Sequence, residues 1–330
     1  MKRKRILVRK PGGYRAFHFD ETPLEAPLPG EIQVEVKACG INFADVAVRL
    51  GLYGAAKGNY PICPGLEFSG IVRNTGKGET PFSLGDRVFG ATRFGGYTSA
   101  LNTAPEQLWI MPEEWSFPRA AAFPVAYLTA YYALYHVGHL SPFDRVLVHS
   151  AAGGVGTALL HLLRQNGNFT AGAVGRTDKV RSAKDAGASR VIDKSRSDLW
   201  RDAEEICPGG YDLILDANGV STLRESYRHL KPGGRLLVYG FASMFSGSGR
   251  IHWPKLIRDY FRTPRFSPFD LTSANKTVAG FNLIYLFEKV ALFRGLMDAL
   301  LRMDRDGLLP PMPVSEFPFD EVAEAHRALE

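Results

Sequence analysis

Val146-Leu147-Val148-His149-Ser150-Ala151-Ala152-Gly153-Gly154-Val155-Gly156 is the stretch on which the fold turns. Apolar residues rich in Val run into a turn of small residues. The turn opens a segment, 155–165, whose apolar residues recur at helical spacing. Ala151-x-Gly153-x-x-Gly156 has the spacing of a dinucleotide fingerprint with Ala in the first place. Gly153 would let the backbone approach a pyrophosphate, and Gly156 would let the helix pack against the strand. Gly154 and Val155 fill the spacing and join the cofactor-binding set. The anion would sit on the free N–H groups of the helix N-terminus.

A glycine triplet alone is a weak signal, so its surroundings matter. Short apolar runs at 145–149, 170–174, 190–192, 212–217, 235–240 and 277–281 alternate with helical patterns at 155–165, 177–186 and 221–230. This predicts an α/β domain with a doubly wound parallel sheet. A long helix at 285–305, a Pro-rich stretch at 309–313 and a last helix at 320–329 with Asp320 as N-cap follow. Toward the N-terminus the pattern becomes β-rich, with runs at 6–8, 32–38, 70–72 and 87–89 and turns at Pro29-Gly30 and Gly85-Asp86. At about 150 residues per domain, 330 residues make two domains.

Composition narrows the class. Hydrophobic residues at 45% and charged residues at 22% supply a large core and exclude wholesale disorder. Cys39, Cys63 and Cys207 are too few for a disulfide scaffold or a four-Cys zinc site, and they fit a reducing, cytoplasmic compartment. The net charge of +6 comes with 34 acidic residues dispersed among 40 basic ones, so a polyanionic cofactor accounts for it without nucleic acid. Lys2-Arg3-Lys4-Arg5 reads as a solvated lead-in to the first strand, and no apolar run of a signal peptide follows. Residues 120–143 lack Lys, Arg, Asp and Glu. Pro124, four Tyr and two His make them a buried interdomain helix and not a membrane span.

The end of the second strand of the parallel sheet selects the nucleotide. An NAD site places a carboxylate there. Here the chain reads Gly175-Arg176-Thr177-Asp178-Lys179, and Arg176 and Lys179, joined by Lys194, would meet a 2′-phosphate. NADPH is the expected cofactor, with Asp178 the dissenting residue.

Further motifs carry a resemblance through nearly the whole chain. They are Cys39-Gly40-Ile41-Asn42-Phe43-Ala44-Asp45, Arg49-Leu50-Gly51-Leu52-Tyr53, Pro64-Gly65-Leu66-Glu67-Phe68-Ser69-Gly70, Gly85-Asp86-Arg87-Val88, Leu230-Lys231-Pro232-Gly233-Gly234-Arg235 and Ala279-Gly280-Phe281-Asn282-Leu283. With the glycine loop, this ordered set resembles the quinone oxidoreductase class of the medium-chain dehydrogenase/reductase superfamily, in its vesicle amine transport protein-like branch. The resemblance implies a GroES-like catalytic domain from residues 1–122 and 282–330. A Rossmann NADP-binding domain, 123–281, is inserted in it, with the active site in the cleft. It also implies a homodimer joined through the sheet edge near residues 277–283. Members usually continue past the last helix into a Gly-Lys-containing segment and a final strand, whereas this sequence ends at Glu330.

Zinc members of the superfamily carry Cys where this chain has Asn42 and His where it has Leu66. An amide is a poor zinc ligand and Leu is none, so the expected site is metal-free. Glu67 is then a buried structural carboxylate. His136 and His139 mark a helix end, and Cys39 and Cys63 are packed thiols. Reducing an isolated ketone concentrates charge on one oxygen, which zinc would stabilise. Reducing a quinone or the C=C bond of an α,β-unsaturated carbonyl spreads that charge, so hydrogen-bond donors suffice.

Asn42 would donate its amide N–H to the carbonyl, Tyr53 would protonate the enolate carbon, and Asp45 would orient Asn42 or cap the following helix. Thr129, at the start of the interdomain helix, matches a position near the nicotinamide. Phe241, after the fifth strand, and Phe281 would wall its pocket, and Gly240 and Leu283 join the cofactor-binding set. Two other readings compete: an enoyl reductase of a biosynthetic, polyketide-like pathway with a carrier- or CoA-linked substrate, and a nucleotide-binding interaction protein with little catalysis. Residues 250–265 hold six basic residues against Asp259, interleaved with apolar ones. They read as a helix over the cleft with a solvated basic face, as a handle for an anionic substrate, or as a peripheral membrane contact.

Overall fold

Alternating buried and exposed side chains build the N-terminal sheets. In the computed structural model, which describes residues 2–245 and 249–330, β1 (Lys2–Val8) pairs antiparallel with β2 (Phe17–Pro23). The strands β3 (Ile32–Cys39), β4 (Glu67–Thr75), β5 (Arg87–Ala91), β6 (Ala100–Thr103) and β7 (Leu108–Ile110) form an antiparallel sheet of order β6-β3-β4-β5-β7. Ile32, Val34, Phe68, Val72, Val88 and Leu108 make its dry face.

The basic run at residues 2–5 is not a lead-in but part of β1. Lys2 and Lys4 point to water, and Arg5 stands opposite Asp20 in β2 and pairs with it. Strands β2, β6 and β7 carry no clean apolar run. Their pairing partners, and not their own composition, hold them extended.

The second sheet is parallel. It contains β8 (Val146–Val148), β9 (Thr170–Val174), β10 (Arg190–Asp193), β11 (Tyr211–Asp216), β12 (Leu230–Val238) and β13 (Thr277–Gly280), in the order β10-β9-β8-β11-β12-β13. The strand order reverses between β8 and β11, and a crevice at that switch point is where such sheets take ligands. β8 is buried throughout, as a central parallel strand must be.

Three sequence expectations change here. Residues 120–143 are not one helix. Phe117–Ala121, Pro124–Tyr131 and a π-helical turn, Tyr132–Val137, replace it. Pro124 starts a helix because its missing N–H is one that a first turn leaves unpaired. Thr129 therefore lies in the second turn, not at the start. The helix expected over 285–305 is a 3₁₀ turn, Leu283–Leu286, followed by Val290–Arg305. Asp320 lies inside the 3₁₀ turn Phe319–Glu321, and the last helix, Val322–Leu329, begins after it. That helix returns to the N-terminal sheets: Val322 packs with Ile6 and Tyr97, and the His326 Nε2 lies 3.0 Å from the Tyr97 hydroxyl.

Candidate active site

Asn42 occupies the N-cap of the short helix Phe43–Arg49. Its backbone N–H donates to Asp45 Oδ2 at 2.8 Å, and its side-chain Nδ2 donates to Glu67 Oε1 at 2.7 Å. Asp45 is wholly buried, and its Oδ1 accepts from the Gly65 N–H at 2.9 Å. It thereby ties the Asn42 backbone to the loop at Gly65. Glu67 Oε2 accepts from the Val125 N–H at 2.7 Å, so one carboxyl ties Asn42 to the first turn of the helix Pro124–Tyr131. One amide hydrogen of Asn42 is thus engaged, and the other remains for a ligand.

Burial pushes Glu67 up to about 8 and Asp45 up to about 6, against the hydrogen bonds that favour their charged forms. A carboxyl raised in the folded state binds a proton that the unfolded chain has released. Stability therefore falls as pH rises from the ordinary carboxyl range to about 8. Glu67→Gln should remove the upper part of this slope, about 1.4 kcal/mol per pH unit. Denaturant unfolding at several pH values between 6 and 8 reads it, and identical slopes in the two proteins would contradict it. Cys39 and Cys63 are pushed up to about 12 by burial, so neither is a reactive thiolate.

Tyr53 approaches from the other side. Its hydroxyl donates to Asn282 Oδ1 at 3.0 Å, and that oxygen also accepts from the Ile284 N–H at 3.3 Å. Burial pushes the phenol up to about 12, so it keeps its proton at neutral pH. Tyr53, Phe94, Ala44 and Val125 pack around a small buried cluster of Leu66, Ala55 and Ile284. Leu66, at the position of a zinc ligand in metal-bearing relatives, is thus part of an apolar contact.

The glycine loop also lies against the helix Pro124–Tyr131, where a Cβ placed on Gly154 would stand 3.9 Å from the Ala126 Cβ. Gly153 is the N-cap of the helix Gly154–Gln165, and Gly153 and Gly154 are exposed while Ala151 is buried. A Cβ on Gly156 would come within 2.2 Å of the Ser150 carbonyl oxygen, so the fold itself demands glycine there. A Cβ on Gly153 would meet only that oxygen, at 3.3 Å. The open space above Gly153 and Gly154, over the N-terminus of a helix, fits a pyrophosphate.

Behind the loop is a polar cluster that the sequence did not reveal. Asp216, at the end of β11, is fully buried. Its Oδ1 accepts from the Asn218 and Gly219 N–H groups at 2.8 and 2.9 Å, and its Oδ2 accepts from the Ser226 hydroxyl at 3.0 Å. His149 Nε2 lies 3.0 Å from the same hydroxyl, and burial holds the imidazole below its usual range, hence neutral. Ser150 donates to Asn218 Oδ1 at 2.8 Å. The ends of β8 and β11 are thereby locked together under the crevice. Asn218 Nδ2 is buried without a partner.

Gly240 and Phe241 follow β12. A Cβ on Gly240 would lie 2.8 Å from the Ala217 carbonyl oxygen, and Phe241 presses on Gly219 and remains half exposed. Phe281 meets Tyr132 edge-on at 5.1 Å and stacks over Tyr239 at 6.3 Å. Thr129 is half-buried one turn before Tyr132, and Leu283 packs on the large core from the 3₁₀ turn after Phe281. Nothing local to Asn282 marks it as a partner of Tyr53, because the partnership spans 229 positions.

Arg176, Lys179 and Lys194 are all exposed at the ends of β9 and β10. Arg176 is held by Asp178 through two hydrogen bonds, 3.1 and 2.9 Å long. The Lys194 side chain lies over Gly175. Thr177 donates to Asp193 Oδ2 at 2.6 Å, which joins the two strand ends and brings a second carboxylate to the group. Among the described residues, no three His, Cys, Asp or Glu side chains converge as a metal-binding cluster.

Residues 28–115 match the family model of the alcohol dehydrogenase GroES-like domain, and residues 186–330 match that of the zinc-binding dehydrogenases. The human synaptic vesicle membrane protein VAT-1 homolog is 35% identical over 321 residues, 97% of this chain and 81% of that protein. The chain belongs to the medium-chain dehydrogenase/reductase superfamily, among the VAT-1 homologues and quinone oxidoreductases. A solved quinone oxidoreductase of Escherichia coli, complexed with NADPH, superposes with a TM-score of 0.84 at 29% identity, covering 99% of this chain and 96% of that one. The CurK enoyl reductase superposes with a TM-score of 0.84 at 25% identity, covering 99% and 95%. As a member of this superfamily, the chain is an oxidoreductase with a GroES-like domain and a Rossmann-type sheet. No helix among the described residues is long and apolar enough to cross a membrane.

Proposed function

We propose that this oxidoreductase uses NADPH to reduce quinones or the C=C bond of α,β-unsaturated carbonyl compounds, without a metal. One observation carries the reading. Where a zinc member needs ligands, this chain places an amide engaged with Glu67 and an apolar Leu66 side chain, with a protonated phenol packed beside them. That donor set does not fit zinc. Elemental analysis of the purified protein is expected to find well under one zinc per chain, and stoichiometric zinc required for activity would refute the reading.

The crevice fits a dinucleotide, with Gly153, Gly154 and Val155 at the pyrophosphate and Gly240, Phe241 and Phe281 toward the nicotinamide. Bound there, the cofactor supplies a hydride. The free N–H of Asn42 would stabilise the carbonyl oxygen as charge develops on it. Glu67 and Asp45 would hold Asn42 in place. The Tyr53 hydroxyl, oriented by Asn282, would deliver the proton. The assay is NADPH oxidation against quinones, enones and enoyl thioesters. Turnover of none of them would favour a nucleotide-binding protein that works by interaction.

Lys179 and Lys194, with Arg176, would form charge-assisted hydrogen bonds to the 2′-phosphate. NADPH is expected to bind at least ~10-fold more tightly than NADH, about 1.4 kcal/mol. Lys179→Ala should weaken NADPH and leave NADH nearly unchanged by titration calorimetry. Equal wild-type affinities would show that Asp178 and Asp193 cancel the basic residues. β13 is the outer strand of its sheet, half-exposed and paired only with β12, which suits a homodimer joined through this edge. The three unpaired cysteines suit a cytoplasmic setting.

A further inference from the structure

Three arginines from three separate elements converge on one groove. Arg224 comes from the first turn of the helix Leu223–Arg228, Arg262 from the end of the helix Trp253–Arg262, and Arg265 from the extended link after it. The groove measures about 510 Å³, and Phe241, Met244, Tyr260 and Phe261 supply its apolar lining. All three arginines are exposed, and among the described residues no carboxylate pairs with any of them. Glu225, beside Arg224, is held by Arg228 at 2.7 Å, and Asp259 is held by Lys255 and Arg258. A cation at a helix C-terminus answers the macrodipole, which accounts for Arg262. It does not account for Arg265, which lies in no helix, or for Arg224, at the helix end that disfavours a cation. Three guanidiniums without carboxylate partners around one cavity favour an anion there.

The groove adjoins the candidate active site. Phe241, one of its walls, presses on Gly219 in the loop after β11. Phe245, four residues on, meets Phe43 edge-on at 5.0 Å, and Phe43 follows Asn42. Residues 241–245 thus run from the wall assigned to the nicotinamide to the neighbour of Asn42, along the side of the groove. We propose that the groove is a subsite for the far end of the substrate, and that this end carries a phosphate or diphosphate. Arginine forks pair with phosphate oxygens bidentately. Phe241, Met244 and Phe261 would cover an apolar stem leading back to the reducible bond. The inference rests on the reductase reading and narrows it, to a phosphorylated α,β-unsaturated carbonyl compound such as a coenzyme A thioester.

Two assays on the full chain test it. The first compares NADPH-driven turnover of crotonyl-coenzyme A with that of the crotonyl thioester of N-acetylcysteamine, which has the same reacting group and no phosphate. Wild-type kcat/KM should favour the coenzyme A ester at least ~10-fold. Arg224→Gln/Arg262→Gln/Arg265→Gln should erase that preference and leave the smaller ester unaffected. Its melting temperature should stay near wild type, because the substituted side chains are exposed. The second assay titrates inorganic pyrophosphate calorimetrically into the NADPH-saturated protein, where the triple variant should bind at least ~10-fold more weakly than wild type. Equal wild-type kcat/KM for the two esters, or pyrophosphate binding that the substitutions leave unchanged, would overturn the proposal. Pyrophosphate binding only in the absence of NADPH would overturn it too, by assigning the arginines to the cofactor. A chain that reduces a small enone or quinone without preferring the coenzyme A ester keeps the reductase reading and loses the subsite, whereas a chain that reduces nothing loses both.

Discussion

Tyr53→Phe is expected to lower turnover of α,β-unsaturated carbonyl substrates by about 10²–10⁴-fold while NADPH affinity stays unchanged. The substitution keeps the ring, and so keeps its packing with Phe94 and the Leu66 cluster. It removes only the hydroxyl that donates to Asn282. A phenol pushed up to about 12 holds its proton at neutral pH, which a proton donor requires. Quinones should suffer less, because their product oxygens can take protons from water. Asn42→Ala should impair both substrate classes, since both develop charge on a carbonyl oxygen. Asn282→Ala should resemble Tyr53→Phe more weakly, by releasing the hydroxyl without deleting it. Steady-state rates on one enone and one quinone separate these cases. An enone reduced by Tyr53→Phe at the wild-type rate, with the same product stereochemistry, would reduce Tyr53 to packing.

Asp216→Ala should cost roughly 3–5 kcal/mol of folding stability, at about 1–3 kcal/mol for each buried donor left unpaired. The carboxylate receives two backbone N–H groups and a serine hydroxyl in a fully buried site, and each would lose its partner. Asp216→Asn should cost less, because its remaining carbonyl oxygen can still accept from the Asn218 and Gly219 N–H groups. The cluster lies under the glycine loop through His149 and Ser150, so cofactor affinity should fall with stability. Urea unfolding and NADPH titration measure the two effects. An unfolding midpoint unchanged in Asp216→Ala would show that water replaces the carboxylate without penalty.

The parallel sheet was legible because each strand is a local apolar run closed by small or polar residues, and because one strand runs straight into Ala151–Gly156. The reading weakened wherever partners decide. β2, β6 and β7 are extended because β1, β3 and β5 offer them hydrogen bonds. Residues 120–143 looked continuous because charge and apolarity do not register the break that Pro124 imposes. The basic residues 2–5 looked solvated because the acid that receives Arg5 arrives only when β2 folds back.

Asn42, Asp45, Tyr53 and the glycine loop could be singled out from the chain alone, since motif spacing and side-chain chemistry are local properties. Their arrangement could not. Glu67 reaches Asn42 across 25 positions and Val125 across 58, and Tyr53 finds Asn282 across 229. Such partnerships follow from how the sheets and the helix Pro124–Tyr131 pack, and no local pattern encodes them. The basic, aromatic composition of residues 250–265 is likewise plain in the sequence. Which side of that helix meets water is decided by the tertiary structure, because the Lys255–Asp259 pair occupies the inner face and leaves the aromatic side chains outward.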